Sequence, residues 1–109
     1  MTLFPEFSDS HSGSAILLSV KPKFADLIVD GSKLVELRRK VPSQTVGTIA
    51  IYSSSPVQAI VALADVKETI EASPTKLWAI AKDNGGGLTR AELMDYFDSK
   101  KTGFAIMLE

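Results

Sequence analysis

The stretch that decides the fold lies at residues 31–38 and reads Gly31-Ser32-Lys33-Leu34-Val35-Glu36-Leu37-Arg38. An apolar pattern at helical spacing precedes it, and Gly31 is a residue that readily ends a helix in a left-handed conformation. Beyond the glycine, apolar and charged side chains alternate, so they face opposite sides of an extended strand. We therefore predict a helix, a short turn, and a strand whose apolar face meets the core while its charged face borders a cleft.

The rest of the chain continues this mixture of strands and short helices. The predicted strands cover Ser14–Val20, Lys33–Arg39, Gly47–Tyr52, Val57–Val66 and Gly103–Leu108. Helices are predicted to begin at Pro22, at Pro74 behind a Ser73 cap, and behind Thr89 with Glu92 completing a capping box.

The connections between these elements favour one small domain of the α+β class. The turn between Gly31 and Lys33 and the turn at residues 53–56 are too short for parallel crossovers. A small, mixed, mostly antiparallel β-barrel with short helices flanking a cleft fits better. The domain is predicted at 14–109, and the polar residues 1–13 are predicted to be a flexible leader.

Composition excludes several classes of site. The chain has 109 residues, no cysteine and one histidine, His11, which falls in the predicted leader. Disulfides, zinc–thiolate sites and thiol nucleophiles are excluded, and we predict neither a metal site nor a cofactor. With no secretory signal and no apolar stretch of membrane-spanning length, we expect a cytoplasmic protein that does not contact a membrane.

Charge is unevenly distributed along the chain. The net charge is −1, but residues 20–40 hold six cations and three anions, a local charge of +3 that leaves −4 elsewhere. Such a patch on a mildly acidic body can guide a phosphate to one face. A solvated helix face and strand edge would account for the same charges.

The motif Gly-x-Lys-x-x-Glu-x-Arg at residues 31–38 resembles the signature of ASCH domains, named for activating signal cointegrator homology. Flanking segments resemble the family in the same order, among them Leu18–Pro22, Ile51–Pro56, Leu77-Trp78 and Gly103–Ile106. The resemblance covers about residues 14–109. It implies a PUA-like barrel that binds RNA or a nucleotide, with roles in RNA metabolism or transcription coregulation.

The motif supplies the candidate binding residues. Lys33 is expected to project its ammonium from the barrel mouth toward a phosphate, and Lys21, near the amides that begin the first helix, is the second choice. Glu36 is expected to accept from a base edge while Arg38 contacts a phosphate or stacks on a base. A structural Glu36–Arg38 ion pair and a solvated Lys33 are the alternatives.

The end of the third strand adds two further candidates. Tyr52 is a candidate for stacking on a base, and Ser53 for a hydrogen bond to one. Core packing by Tyr52 and turn formation by the serines are equally compatible with the sequence.

Catalysis is the competing hypothesis, with Lys33 and Glu36 as the catalytic residues. Some ASCH proteins are amidohydrolases that deacylate N4-acetylcytidine, and others are proposed ribonucleases. Lys33 matches a lysine of the amidohydrolases, but Glu36 replaces their threonine, and only Asp83 lies near the position of their glutamate. A coregulator domain without chemistry is a third alternative.

Overall fold

The computed structural model describes residues 15–41 and 47–109, which form five strands and three helices. In chain order they are β1 (Ala15–Val20), α1 (Pro22–Val29), β2 (Val35–Arg38), β3 (Thr48–Ser53), β4 (Ala59–Ala72), α2 (Pro74–Asp83), α3 (Arg90–Tyr96) and β5 (Gly103–Leu108). The predicted leader at 1–13, with His11, and most of the predicted loop at 41–46 lie outside the described residues.

The strands form one sheet in the order β1-β3-β4-β5-β2, so that β1 and β2 are its two edges. β1 pairs with β3 in parallel, whereas the other neighbouring pairs are antiparallel. The sheet curls into a half-barrel, and the three short helices make the fold α+β. The predicted fold class is therefore confirmed, and the two edge strands border the open side of the half-barrel.

Strand β4 links the two halves of the curled sheet. Its first half, Ala59–Asp65, pairs with β3, and its second half, Val66–Ala72, pairs with β5. The register shifts once in each pairing, between Ile51 and Tyr52 and between Val66 and Glu68. Irregularities of this kind bend a strand and increase its twist, which is what a curling sheet requires.

Two apolar clusters hold the helices against the sheet. One packs Leu77 of α2 and Leu93 of α3 against β2 and β5, and the other packs Ala25 of α1 against β1, β3 and β5. Strand β5 serves both, since Ala105 belongs to the first cluster and the adjacent Ile106 to the second. Burying a leucine stabilises a fold by about 1.5–3 kcal/mol. Separate packing of α1 and α3 leaves room for a cleft between them.

Helix boundaries follow the sequence closely. Ser73 caps α2 by accepting a hydrogen bond from the Lys76 amide. Thr89 and Glu92 form the predicted capping box at the start of α3. Gly31 follows the last residues of α1 with φ +86°, the predicted left-handed conformation.

Strands β2 and β4 differ most from the predicted bounds, while the other described strand ends differ by one residue at most. Strand β2 begins at Val35 rather than Lys33, because the Lys33 amide donates to Leu27 O at 3.0 Å and the Leu34 amide to Asn84 O at 2.9 Å. Strand β4 continues to Ala72, six residues beyond its predicted end at 66. That extension contains lysine and glutamate, which are uncommon in strands, so the sequence pattern did not indicate that the strand continues beyond residue 66.

No helix in the described ranges, 15–41 and 47–109, is both long enough and apolar enough to cross a membrane.

The backbone at Gly85 lies against the turn that precedes β2. A Cβ atom added at Gly85 would lie 1.9 Å from the Ser32 carbonyl oxygen, and Gly85 has φ +67°. A Cβ added at Gly31, with φ +86°, would meet nothing within 4 Å. Comparing a substitution at Gly85 with one at Gly31 therefore separates the free-energy cost of a left-handed backbone from that of a steric clash.

We expect Gly85→Ala to destabilise the protein more than Gly31→Ala does. Both substitutions carry the left-handed penalty of about 1–2 kcal/mol. Only Gly85→Ala adds a backbone clash, and overpacking of that kind costs about 1–3 kcal/mol more. Urea unfolding of the two variants measures the difference in free energy of unfolding. Equal losses would contradict the close approach of the two segments.

Candidate functional site

A cleft of about 420 Å³ lies between α1, β2 and α3. Its lining residues are Ser19, Val20, Lys21, Lys23, Phe24, Lys33, Glu36, Leu37, Arg38, Gly86, Leu88, Glu92, Asp95 and Tyr96. Four of the six sequence-predicted site residues are thus brought together, namely Lys21, Lys33, Glu36 and Arg38.

Lys33 lies at the bottom of the cleft rather than at its mouth. Only 3% of the residue is exposed. Its Nζ donates a hydrogen bond to the Gly86 carbonyl at 2.6 Å and lies 5.2 Å from the centre of the Phe24 ring. The expectation that the Lys33 ammonium projects from the barrel mouth is wrong, because the side chain is buried and its Nζ donates to the Gly86 carbonyl instead.

Glu36 lies between two cations. Its Oε1 is 3.7 Å from Lys33 Nζ, and its Oε2 is 3.2 Å from Arg38 Nε. Glu36 is 7% exposed, and charged side chains are rarely buried to this extent unless they are paired. Arg38 itself is half-buried, and we refer to Lys33, Glu36 and Arg38 together as the buried charge trio.

Burial shifts the two titrating members of the trio in opposite directions. Removal from water lowers the pKa of Lys33, and the nearby Glu36 carboxylate partly opposes that shift. Removal from water also raises the pKa of the Glu36 carboxyl, and the charges of Arg38 and Lys33 partly oppose it. A carboxyl and an amine shifted toward each other in this way are suited to exchanging protons with a ligand.

Arg38 connects the two edges of the half-barrel. Its Nη2 donates to the Ser19 carbonyl of β1 at 2.7 Å, across the open side of the sheet. Its Nε lies 3.2 Å from Glu36 Oε2 and is buried in that ion pair, so Arg38 holds the Glu36 carboxylate and the Ser19 carbonyl together.

Lys21 lies at the rim of the cleft. It is the N-cap residue of α1, and its carbonyl accepts from the Phe24 and Ala25 amides at 2.9 Å. Its side chain is exposed. The position provides an exposed cation close to the first turn of a helix, which favours anions.

Tyr52 and Ser53 do not line the cleft. They lie on β3, which β1 separates from the open side of the sheet. Tyr52 is half-buried beside Ser19, and Ser53 is 1% exposed, with an Oγ that has no hydrogen-bond partner among residues 15–41 and 47–109. The sequence shows that the two residues end a strand but not that the strand is an inner one.

Two walls of the cleft are formed by residues that were not predicted from the sequence. One is the glycine-rich turn, which contributes Gly86, and the other is α3, which contributes Glu92, Asp95 and Tyr96. Three successive glycines, at 85–87, permit close backbone contact, and this is the signal in the sequence that points to the first of these walls.

Neither Asp83 nor a metal-binding cluster of described residues contributes to the cleft. Asp83, the residue nearest to the amidohydrolase glutamate in sequence, is exposed and does not line the cleft. Within the described ranges, no group of three or more histidine, cysteine, aspartate or glutamate side chains is arranged to hold a metal ion.

Two curated proteins are similar to this chain in sequence. An ASCH domain-containing ribonuclease from Zymomonas mobilis is 29% identical over 93 residues, covering 84% of this chain and 62% of that protein. ATP synthase subunit alpha from Ureaplasma parvum is 27% identical over 105 residues, covering 93% of this chain and 13% of that protein. The chain thus spans less than two thirds of the length of either relative.

Solved structures agree with the fold. The crystal structure of ASCH from Zymomonas mobilis superposes with a TM-score of 0.79 at 28% identity, covering 87% of this chain and 66% of that chain. A tyrosine-to-phenylalanine mutant of the same protein gives a TM-score of 0.80 at 27% identity, covering 87% and 68%. The family model described as ASCH domain matches residues 18–102. Because that match takes in most of the chain together with the buried charge trio, the protein belongs to the ASCH domain family.

Proposed function

We propose that this protein binds single-stranded RNA and seats one nucleotide in the cleft between α1 and α3. The observation that carries the proposal is the buried charge trio at the bottom of a cleft of about 420 Å³. Binding pockets for small ligands typically measure about 300–1,000 Å³. A space of this size suits one extruded nucleotide and is too small for a duplex.

The chemistry of the walls supports a nucleotide in particular. Phe24 and Tyr96 offer aromatic faces on which an unstacked base can lie. Lys21 and Arg38 line the cleft and offer cations to a phosphate. Glu36 accepts hydrogen bonds from the N–H groups of a base edge.

The relatives support the same class of ligand. One curated relative is described as a ribonuclease, so a protein with this fold and 29% identity acts on RNA. The proposed binding mode rests on Lys21, Lys33, Glu36 and Arg38. Tyr52 and Ser53 are no part of it, since they do not line the cleft.

RNA cleavage in the same cleft is a second candidate, favoured by the opposite pKa shifts of Lys33 and Glu36. In that reaction the Glu36 carboxylate takes the proton of a ribose 2′-hydroxyl, whose oxygen attacks the adjacent phosphorus. The bond to the 5′-oxygen breaks, and Lys33 donates a proton to that leaving oxygen. Deacylation of N4-acetylcytidine is less well supported, because Glu36 replaces the expected threonine and Asp83 lies outside the cleft.

We expect Lys21→Ala and Lys33→Ala each to weaken binding of a short single-stranded RNA. Each removes a charge-assisted contact, which is worth about 1–3 kcal/mol. Fluorescence anisotropy with a labelled oligoribonucleotide measures the affinity. Lys67→Ala is the matched control, because Lys67 is exposed on β4 and does not line the cleft.

Lys33 is buried, so its replacement needs a check on folding by circular dichroism. Lys21 is exposed, and its variant tests the cleft without that complication. Unchanged affinity in the Lys21 variant and in a folded Lys33 variant would contradict the proposed site.

If the protein cleaves RNA, a plot of the cleavage rate against pH should be bell-shaped. The acidic limb reports deprotonation of Glu36 and should lie above the ordinary range for glutamate, since burial raises that pKa. The alkaline limb reports loss of the Lys33 proton and should lie below the ordinary range for lysine. Glu36→Gln should reduce the rate by roughly 10²–10⁴ and abolish the acidic limb.

Glu68→Gln provides the control for that experiment, because Glu68 is exposed on β4. A cleavage rate that survives Glu36→Gln with its acidic limb intact would rule out Glu36 as the base. RNA binding without cleavage at any pH would leave the protein as a binding module.

A further inference from the structure

A second, more open hollow of about 360 Å³ lies next to the cleft. Its lining residues are Arg38, Arg39, Lys40, Tyr96 and Lys100, and we call it the basic hollow. Arg38 and Tyr96 line both spaces, so the hollow continues the cleft along the surface.

The hollow brings together cations that are far apart in the sequence. Arg39 and Lys40 directly follow β2, whereas Lys100 follows α3. The turn after α3 fixes the backbone of Lys100, whose amide donates to Phe97 O at 2.9 Å. The fold therefore builds this concentration of positive charge on a chain whose net charge is −1.

These cations are not neutralised within the described part of the chain. No carboxylate lines the hollow, and Arg39, Lys40 and Lys100 take part in no ion pair among residues 15–41 and 47–109. All three are exposed. The Arg39 guanidinium lies 4.7 Å from the centre of the Tyr96 ring, which orients it beside the cleft. Unpaired cations in a concave surface attract anions.

From this geometry we propose that the basic hollow holds the phosphates of nucleotides flanking the one in the cleft, so that the ligand is an oligoribonucleotide rather than a free nucleoside or mononucleotide. The inference rests on the proposed function, since it extends the same binding site. Arg38 and Tyr96 lie where the strand would leave the cleft and enter the hollow. The cleft would then discriminate among bases, while the hollow would favour an oligonucleotide over a single nucleotide.

The test compares ligands of increasing length with two triple variants. Arg39→Gln/Lys40→Gln/Lys100→Gln removes the three exposed cations of the hollow. Lys67→Gln/Lys76→Gln/Lys82→Gln makes the same change of charge at exposed positions that line neither space. Affinity for cytidine monophosphate and for single-stranded RNAs of two to six nucleotides is measured at several salt concentrations.

We expect the hollow variant to lose roughly 10- to 100-fold in affinity for the longer RNAs and to bind the monophosphate within about 2-fold of the native protein. Its log–log salt slope for RNA should fall by about 2, since single strands release roughly 0.7 counterions per neutralised phosphate. The control variant should retain most of the native length dependence.

Three results would overturn the inference. One is a native affinity that does not rise with RNA length, and another is an equal loss for the two triple variants. The third is an equal loss for the monophosphate and the longer RNAs in the hollow variant. Native binding of the monophosphate with no gain from length would refute the hollow while leaving the cleft supported. Failure of every ligand to bind would refute the proposed function and the inference with it.

Discussion

The buried carboxylate of Glu36 is the constraint on which the site depends. A charge removed from water is costly unless cations and hydrogen bonds compensate it, and loss of one partner of a buried pair typically costs about 3–5 kcal/mol. Glu36 has Lys33 on one oxygen and Arg38 on the other, at 3.7 and 3.2 Å. The same Arg38 bonds to Ser19 across the open side of the half-barrel. The Arg38 side chain therefore both balances the charge of Glu36 and links the two edge strands of the sheet.

Local backbone features bring the partners to Glu36. Gly31 ends α1, the Lys33 amide bonds back to Leu27, and the Lys33 side chain then reaches the Gly86 carbonyl. That carbonyl is in place because the turn containing Gly85 packs directly on the backbone of Ser32. A glycine-rich turn distant in sequence thus supplies the hydrogen bond that makes burial of Lys33 tolerable. Contacts within the protein, rather than hydration, therefore hold the Lys33 ammonium in position.

Local patterns in the sequence were enough to predict most of the fold and part of the site. The helix caps at Ser73 and Thr89 and the glycine at 31 are local signals, and the structure agrees with them. The burial of Lys33 and the position of β3 as an inner strand depend on tertiary packing, which local patterns do not contain. For the same reason α3 was not recognised as a wall of the cleft.

The distribution of charge explains how a chain with net charge −1 can present a cationic surface. The end of β2 and the turn after α3 converge, so the positive charges of Arg39, Lys40 and Lys100 lie close together. Among the described residues, no carboxylate lines the hollow that these residues form. Such a surface acts within about 10 Å at ordinary ionic strength, so it orients a polyanion that is already near the cleft. Under the proposed function, discrimination between ligands would come from the buried charge trio, because donors and acceptors withdrawn from water penalise any ligand that leaves them unpaired.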